Sequence, residues 1–188
     1  FEEPLLKEKD KRLIQYLAKH VHLSPFGHCF ASFRVTAPVF VARQLVKHKF
    51  LRINEVSRRY VDSEPEFYTP DVWRGKADDR KQGSSDEDVG LEVARTFGSS
   101  KAFHLQMKEV YNTLLKSGVC PEQARMVLPQ SMMTSWYWSG SMDAFAAMCH
   151  LRCKEDTQHE TRLVANQIDE IMAGIYPVSW EALRAYAE

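Results

Sequence analysis

Residues 30–49 read FASFRVTAPVFVARQLVKHK, and a change of period inside them sets the class of fold. From Phe30 to Pro38 the side chains alternate. Ala31, Phe33, Val35 and Ala37 fall on one face and Ser32, Arg34 and Thr36 on the other, the pattern of a half-buried strand. Pro38 suits the first position of a helix, and Val39, Ala42, Leu45 and Val46 then line up on one side of it. Lys47 to Lys49 end that helix, where cations complement its dipole. A strand feeding a helix, in a chain otherwise dominated by helical spacing, predicts a helix-rich α+β fold. Its small antiparallel sheet is expected from residues 30–38 and from "EFYTP" (66–70), with a strand from a segment before Phe1 as a further member.

Working outward, Leu13, Ile14 and Leu17 recur among charges and predict an amphipathic helix over 7–20, ended by "HLSPFGH". Residues 71–85, DVWRGKADDRKQGSS, are polar and aperiodic and read as a surface loop. "SSDED" then reads as a helix cap with acids in the first turn. Helical spacing runs on through Val93, Phe97, Leu105 and Leu114 to Ser117, with Gly98 as a kink or break and Gly118 as the stop. "PEQARMV" forms a short helix closed by Pro129, and "SWYWSGS" sets three aromatics before a turn, a cluster suited to an interface. Helices are predicted over 142–153, 157–173 (ended by Gly174 and Pro177) and 180–186.

At 188 residues, 44% hydrophobic and 27% charged, the chain is the size of one well-cored domain, taken as 1–188. Lys plus Arg and Asp plus Glu are 25 each, so no overall field draws a polyanion such as nucleic acid or an anionic membrane. No apolar run reaches membrane-span length and no secretory leader is visible, which predicts a cytoplasmic protein. The chain opens at Phe1 without a methionine, which leaves room for a preceding segment. Cys29, Cys120, Cys149 and Cys153 fit reduced thiols better than a disulfide frame.

The strand–helix unit runs into KHKFLRINEVSRRY, residues 47–60, in which Lys47, His48, Lys49, Arg52, Arg58 and Arg59 surround the one carboxylate of Glu55. Such a run is often only a solvated face. Here it is interleaved with Phe50, Leu51, Ile53 and Val56 and includes Asn54, Glu55 and Ser57. Arginine forks suit phosphate oxygens, while amide and carboxylate groups suit ring edges and hydroxyls, so a nucleotide-sized ligand would use the whole set. The histidines and cysteines lack the pair spacings of a zinc site, and no metal is expected. "GSSD" and "SGS" fit neither the P-loop nor the dinucleotide fingerprint, and nothing places a Ser-His-Asp triad. Arg125 in "QARMVLPQ" and Arg152 in "HLRCKED" sit beside apolar residues at helical spacing. Each needs an anion, either Glu109 or Glu160 or a ligand.

These residues together resemble the flavin-dependent thymidylate synthases. The match runs from about Lys11 to about Tyr186, through "HLSPFGH", "FVARQLVKHKFLRINEVSRRY", "EFYTP", "ARMVLP", "YWSGS" and "HLRCKEDTQHETR". The family signature is Arg-His-Arg, seven residues, then Ser, with Asn-Glu inside it and Arg-Tyr at its end. Lys47-His48-Lys49 and Ser57 occupy that frame, with Asn54, Glu55, Arg59 and Tyr60 in register. The compact form is similar to viral members, for which the compartment would be the host cytoplasm.

The resemblance implies synthesis of dTMP from dUMP, with methylenetetrahydrofolate as carbon donor and FAD, reduced by NADPH, as hydride carrier. It implies a homotetramer with composite sites, in which the basic stretch lies between FAD and dUMP. Ser24, Lys47, His48, Lys49, Asn54 and Glu55 would contact FAD, and His22 would lie near the flavin and the folate. Gln44, Lys47, Glu55, Ser57, Arg58 through its backbone, and Arg59 would hold dUMP. Arg125 would come from elsewhere in the tetramer, and Arg152 would favour ionisation of the uracil N3. Five positions depart from the family, one of them Arg52, which replaces a common serine. Lys47 and Lys49 replace arginines and lack the planar fork, and Ser141 and Ala147 stand where better-known members carry asparagines toward the flavin. Those departures support a rival, a flavin-poor dUMP-binding relative without synthase activity. A nucleic-acid module using the basic run is a second rival, opposed by the neutral net charge.

Overall fold

The computed structural model describes residues 6–60, 63–78 and 83–186. They build eight α-helices and five strands among the described residues, a helix-rich α+β fold with small antiparallel sheets. The chain divides into two compact units that interleave in sequence. The first comprises Phe1–Phe33, His48–Arg52 and Trp138–Glu188, and the second Arg34–Lys47 and Ile53–Tyr137.

The three-stranded sheet has the order β1 (Phe30–Pro38), β5 (Met133–Ser141), β2 (Arg52–Glu55). Ser32 Oγ meets Ser139 Oγ at 2.7 Å and Thr36 Oγ1 meets Ser135 Oγ at 2.8 Å, so β5 descends as β1 ascends. β1 matches the expected strand, with Val35 and Ala37 buried. The expected partner does not. "EFYTP" contributes only an isolated bridge, Phe67 to Met132, and the central strand is β5. Within β5, Thr134, Trp136, Trp138 and Gly140 point inward. Trp136 and Trp138 are each 1% exposed and therefore belong to the core, not to an interface. Tyr137 alone of the three aromatics faces out, at 58%.

A second departure lies in residues 71–88. The expected loop and cap contain an antiparallel pair, β3 (Arg74–Lys76) and β4 (Ser84–Asp88), with residues 79–82 outside the described set. "SSDED" is thus strand rather than helix start. The next helix, α3 (Gly90–Phe97), is separated from α4 (Ser100–Lys116) at Gly98, whose φ of 74° belongs to the left-handed region that glycine adopts cheaply.

The first unit is organised around α6 (Met142–Arg152), which buries Met142, Ala144, Phe145, Ala146, Met148 and Cys149. A helix apolar on nearly every side has to be enclosed. α1 (Glu8–Lys19), α7 (His159–Ile175) and α8 (Pro177–Tyr186) belong to the same unit, and α7 runs through Gly174 instead of stopping there. Phe145 packs edge-on against Phe33 and Trp138, with ring centroids at 5.0 and 5.6 Å. Asp169 ties α7 to α8 by accepting from Trp180 Nε1 at 2.9 Å and pairing with Arg184 at 2.8 Å.

In the second unit α2 (Val39–Leu45) starts just after Pro38, which occupies the N-cap position without a side-chain capping bond, and buries Val41, Ala42 and Leu45. Val46, expected on that face, is 43% exposed because the helix has already ended. α5 (Pro121–Ala124) is continued by a 3-10 turn, Arg125–Val127. His104 of α4 stacks on Phe67 at 4.8 Å and hydrogen-bonds Ser131 Oγ at 2.9 Å.

Candidate active site

Two of the expected site residues, 104 positions apart in sequence, meet in the first unit. Arg152 Nε donates to His48 Nε2 at 2.9 Å. An imidazole nitrogen accepts only when unprotonated, so His48 is neutral with its hydrogen on Nδ1. Its pKa is lowered from 6.5 to about 4, first by burial and then by the Arg152 charge, which agrees with that geometry. The consequence is electrostatic. A carboxylate partner would offset the guanidinium, whereas a neutral imidazole orients it and leaves its charge available. Among the described residues no carboxylate pairs with Arg152, so Glu160 is not the anion it serves.

The sequence places Arg152 at the last residue of α6, where the helix dipole favours a cation. The turn behind it is held by a residue the motif contains but the sequence reading passed over. Thr157 is buried and its Oγ1 donates to the Leu151 carbonyl at 3.1 Å, taking up one of the free carbonyls at the helix end. Arg162 NH1 donates to the Glu155 carbonyl at 3.1 Å and closes the same loop. Thr157 and Arg162 of "DTQHETR" thus act on the site through backbone.

Lys49 and Phe50 follow His48 in the first unit and are exposed, Phe50 at 86% with a φ of 64°. A bulky residue held there is strained by about 1–2 kcal/mol. The position is fixed by Gly140 of β5: a Cβ on that glycine would stand 3.1 Å from the Phe50 carbonyl and would collide with the Leu51 side chain. Ser24 and His22 also lie in this unit, both exposed, with the His22 ring 6.5 Å from that of Tyr16.

In the second unit Glu55 ends β2 and accepts from Thr134 Oγ1 at 2.8 Å. That threonine, buried on β5, is a second positioning group that sequence reading missed, because it lies 79 residues away. Ser57 Oγ receives both the backbone N–H and the Nε of Arg59 at 3.4 Å, and Arg59 lies 5.1 Å from the centre of the Tyr60 ring. The Arg58 guanidinium is committed to the Ser63 carbonyl and, at 3.3 Å, to that of Glu64. Its backbone is what remains to meet a ligand. Lys47 and Asn54 are exposed, and Gln44 is half-buried. Arg125 donates through Nε to the Glu122 carbonyl at 3.2 Å and pairs with no carboxylate among the described residues, Glu109 included.

Comparisons with known proteins bear on the family of the chain. The profile of the Thy1 family, described as thymidylate synthase complementing protein, matches residues 2–178. A flavin-dependent thymidylate synthase of Kosmotoga olearia is 36% identical over 183 residues, covering 96% of this chain and 78% of that protein. One of Thermus thermophilus is 35% identical over 178 residues, covering 95% of this chain and 65% of that longer protein. Among solved structures, the UMP/dUMP methylase PolB of Streptomyces cacaoi, bound with 5-Br dUMP, is similar at a TM-score of 0.85 and 30% identity, over 98% of this chain and 83% of that one. With a family match over nearly its whole length and relatives this similar, the chain belongs to the thymidylate synthase complementing protein family, the flavin-dependent thymidylate synthases.

Proposed function

We propose that residues 1–188 form a single synthase domain that converts dUMP to dTMP, with methylenetetrahydrofolate as carbon donor and FAD reduced by NADPH. The observation that carries this reading is the Arg152–His48 pair, a guanidinium aligned by a neutral acceptor and still fully charged. Beside a uracil, that charge lowers the cost of removing the N3 proton. The resulting anion spreads electron density to C5, which becomes nucleophilic toward the methylene carbon with no protein nucleophile required.

The remaining roles are those the family resemblance implies, and the residue chemistry is compatible with them. Glu55, braced by Thr134, accepts from nucleotide hydroxyl or ring donors. Ser57, Arg59 and the Arg58 backbone receive the phosphate end of dUMP, with Gln44 and Lys47 beside them and Arg125 supplied by another subunit of a homotetramer. Lys47, Lys49, Ser24 and Asn54 suit FAD, the exposed lysines as point charges for its phosphates and the His48 Nδ1–H as a donor. FAD when bound supplies the hydride carrier. His22 lies toward the flavin and the folate. Among the described residues no helix is long and apolar enough to cross a membrane. The compartment we propose for the reaction is the cytoplasm.

The test is the visible absorption spectrum of the protein with FAD, before and after dUMP. A bound-flavin spectrum that shifts with dUMP is expected. A protein that binds dUMP but no FAD would replace this reading with the flavin-poor relative. Arg152→Ala is expected to lower turnover by at least about 100-fold while FAD still binds, the scale of losing one main electrostatic stabiliser. Undiminished dTMP formation by that variant would refute the role.

A further inference from the structure

In the second unit α4 carries His104 and Lys108 one turn apart, and therefore on one face of the helix. His104 stacks on Phe67 with the rings 12° from parallel and bonds Ser131 Oγ. The segment it meets is itself fixed to the residues that open β5: Tyr68 N–H donates to the Ser131 carbonyl and Met133 N–H to that of Glu66, both at 2.8 Å. On the same face Lys108 Nζ reaches Glu64 Oε2 at 2.5 Å. The Lys108 side chain is 27% exposed and that of Glu64 71%, so the lysine stem lies against the protein and the carboxylate comes to it from the surface.

Glu64 is held at both ends. Its carboxylate pairs with Lys108, and its carbonyl accepts from Arg58 NH2 at 3.3 Å, beside the bond from Arg58 NH1 to the Ser63 carbonyl. A rigid guanidinium fork that takes two successive carbonyls leaves the backbone it springs from little freedom. Arg58 stands between Ser57 and Arg59, and this short segment also closes on itself: Tyr60 N–H donates to the Ser57 carbonyl at 3.1 Å and Arg59 N–H to Ser57 Oγ at 3.4 Å. The relay Lys108–Glu64–Arg58 therefore ties Ser57–Tyr60 to a 17-residue helix. An anion that meets a segment already ordered does not have to supply the ordering from its own binding free energy.

We propose that Lys108 is a positioning residue for the nucleotide-phosphate segment Ser57–Tyr60, acting through Glu64 and the Arg58 guanidinium. The identity of the ligand rests on the synthase reading; the hold on the segment does not. In this role Lys108 contacts no reactant. Its loss weakens dUMP binding and leaves the chemistry of Arg152 and His48 as it was.

The experiment combines hydrogen–deuterium exchange over residues 57–60 with dUMP binding and steady-state kinetics of the full chain. The proteins compared are the wild type, Lys108→Met, Lys108→Arg, Glu64→Gln and the double variant of Lys108→Met with Glu64→Gln. Lys108→Met is expected to speed exchange of the Tyr60 amide and to raise Kd and KM for dUMP by about 2- to 5-fold, the scale of a partly exposed ion pair, with kcat unchanged. Lys108→Arg, which keeps the cation, should restore both. Because the two groups act as one unit, the double variant should bind dUMP no more weakly than Lys108→Met alone. Lys116→Met, exposed in the last turn of the same helix, controls for the lost charge, and thermal melting checks that each variant is folded. Unchanged exchange in a folded Lys108→Met chain overturns the hold on the segment, and faster exchange with unchanged dUMP affinity overturns its part in nucleotide binding. Fully additive losses in the double variant overturn the relay through Glu64. A wild type that takes no dUMP, with exchange still faster in Lys108→Met, overturns the synthase reading and leaves the hold on the segment standing.

Discussion

His48 shows how one residue's protonation state determines what its neighbour can do. Adding a proton to Nε2 would remove the acceptor of the Arg152 bond and put two cations in contact. The native pKa near 4 lies below the 6.5 of an unfolded chain, so between those values the unfolded state binds more protons. Stability then rises with pH across that window and is lost as pH falls from about 6.5 toward 4. Thermal melts from neutral to acid pH are expected to show a steeper loss in the wild type than in His48→Gln, which keeps a polar acceptor but does not titrate. Parallel curves for the two proteins would place the proton elsewhere. The sequence identified both residues as site candidates, yet not their pairing. It presented His48 as a flavin contact and Arg152 as a uracil contact, and only folding shows that one positions the other.

At the scale of elements, legibility followed how cleanly a segment's two faces differ. β1 alternates apolar and polar residues and stops at a proline, so its bounds were readable to the residue. β5 is equally regular in the structure but carries Trp136, Tyr137 and Trp138 in succession, so its outward aromatic hides the period. β2 is four residues long within a basic run, and β3 and β4 are short and polar, leaving little periodicity to detect. β5 also sets the loop of the site, through Gly140. Gly140→Ala would force a methyl group against Leu51, whose side chain can move, and against the Phe50 carbonyl, which is backbone. An overpacking cost of about 1–3 kcal/mol is expected, read as a lower melting temperature. Because the displaced loop follows His48 directly, FAD affinity should fall as well. A stable Gly140→Ala protein with unchanged FAD binding would show that the Phe50–Leu51 loop adjusts freely.

For the whole molecule, the open question is where Arg125 acts. It is exposed on the turn after α5, its Nε held by a carbonyl of its own turn, and no carboxylate among the described residues answers its charge. An arginine so placed serves solvent or a surface outside its own chain, and the proposed homotetramer supplies the latter: a site taking Arg152 from one subunit and Arg125 from another. This arrangement predicts an outcome that no monomeric site produces. Arg125→Ala and Arg152→Ala chains, each inactive alone, regain activity when unfolded together and reassembled, because some sites receive an intact residue from each parent. With random assembly from equal amounts, about a quarter of the sites carry both arginines, so activity should return to about a quarter of the wild type. The same sample on a light-scattering column should give the mass of four chains. Recovery of no activity from a mixture that does form tetramers would mean both arginines come from one chain, and the composite site would have to be abandoned while the Arg152–His48 chemistry stood.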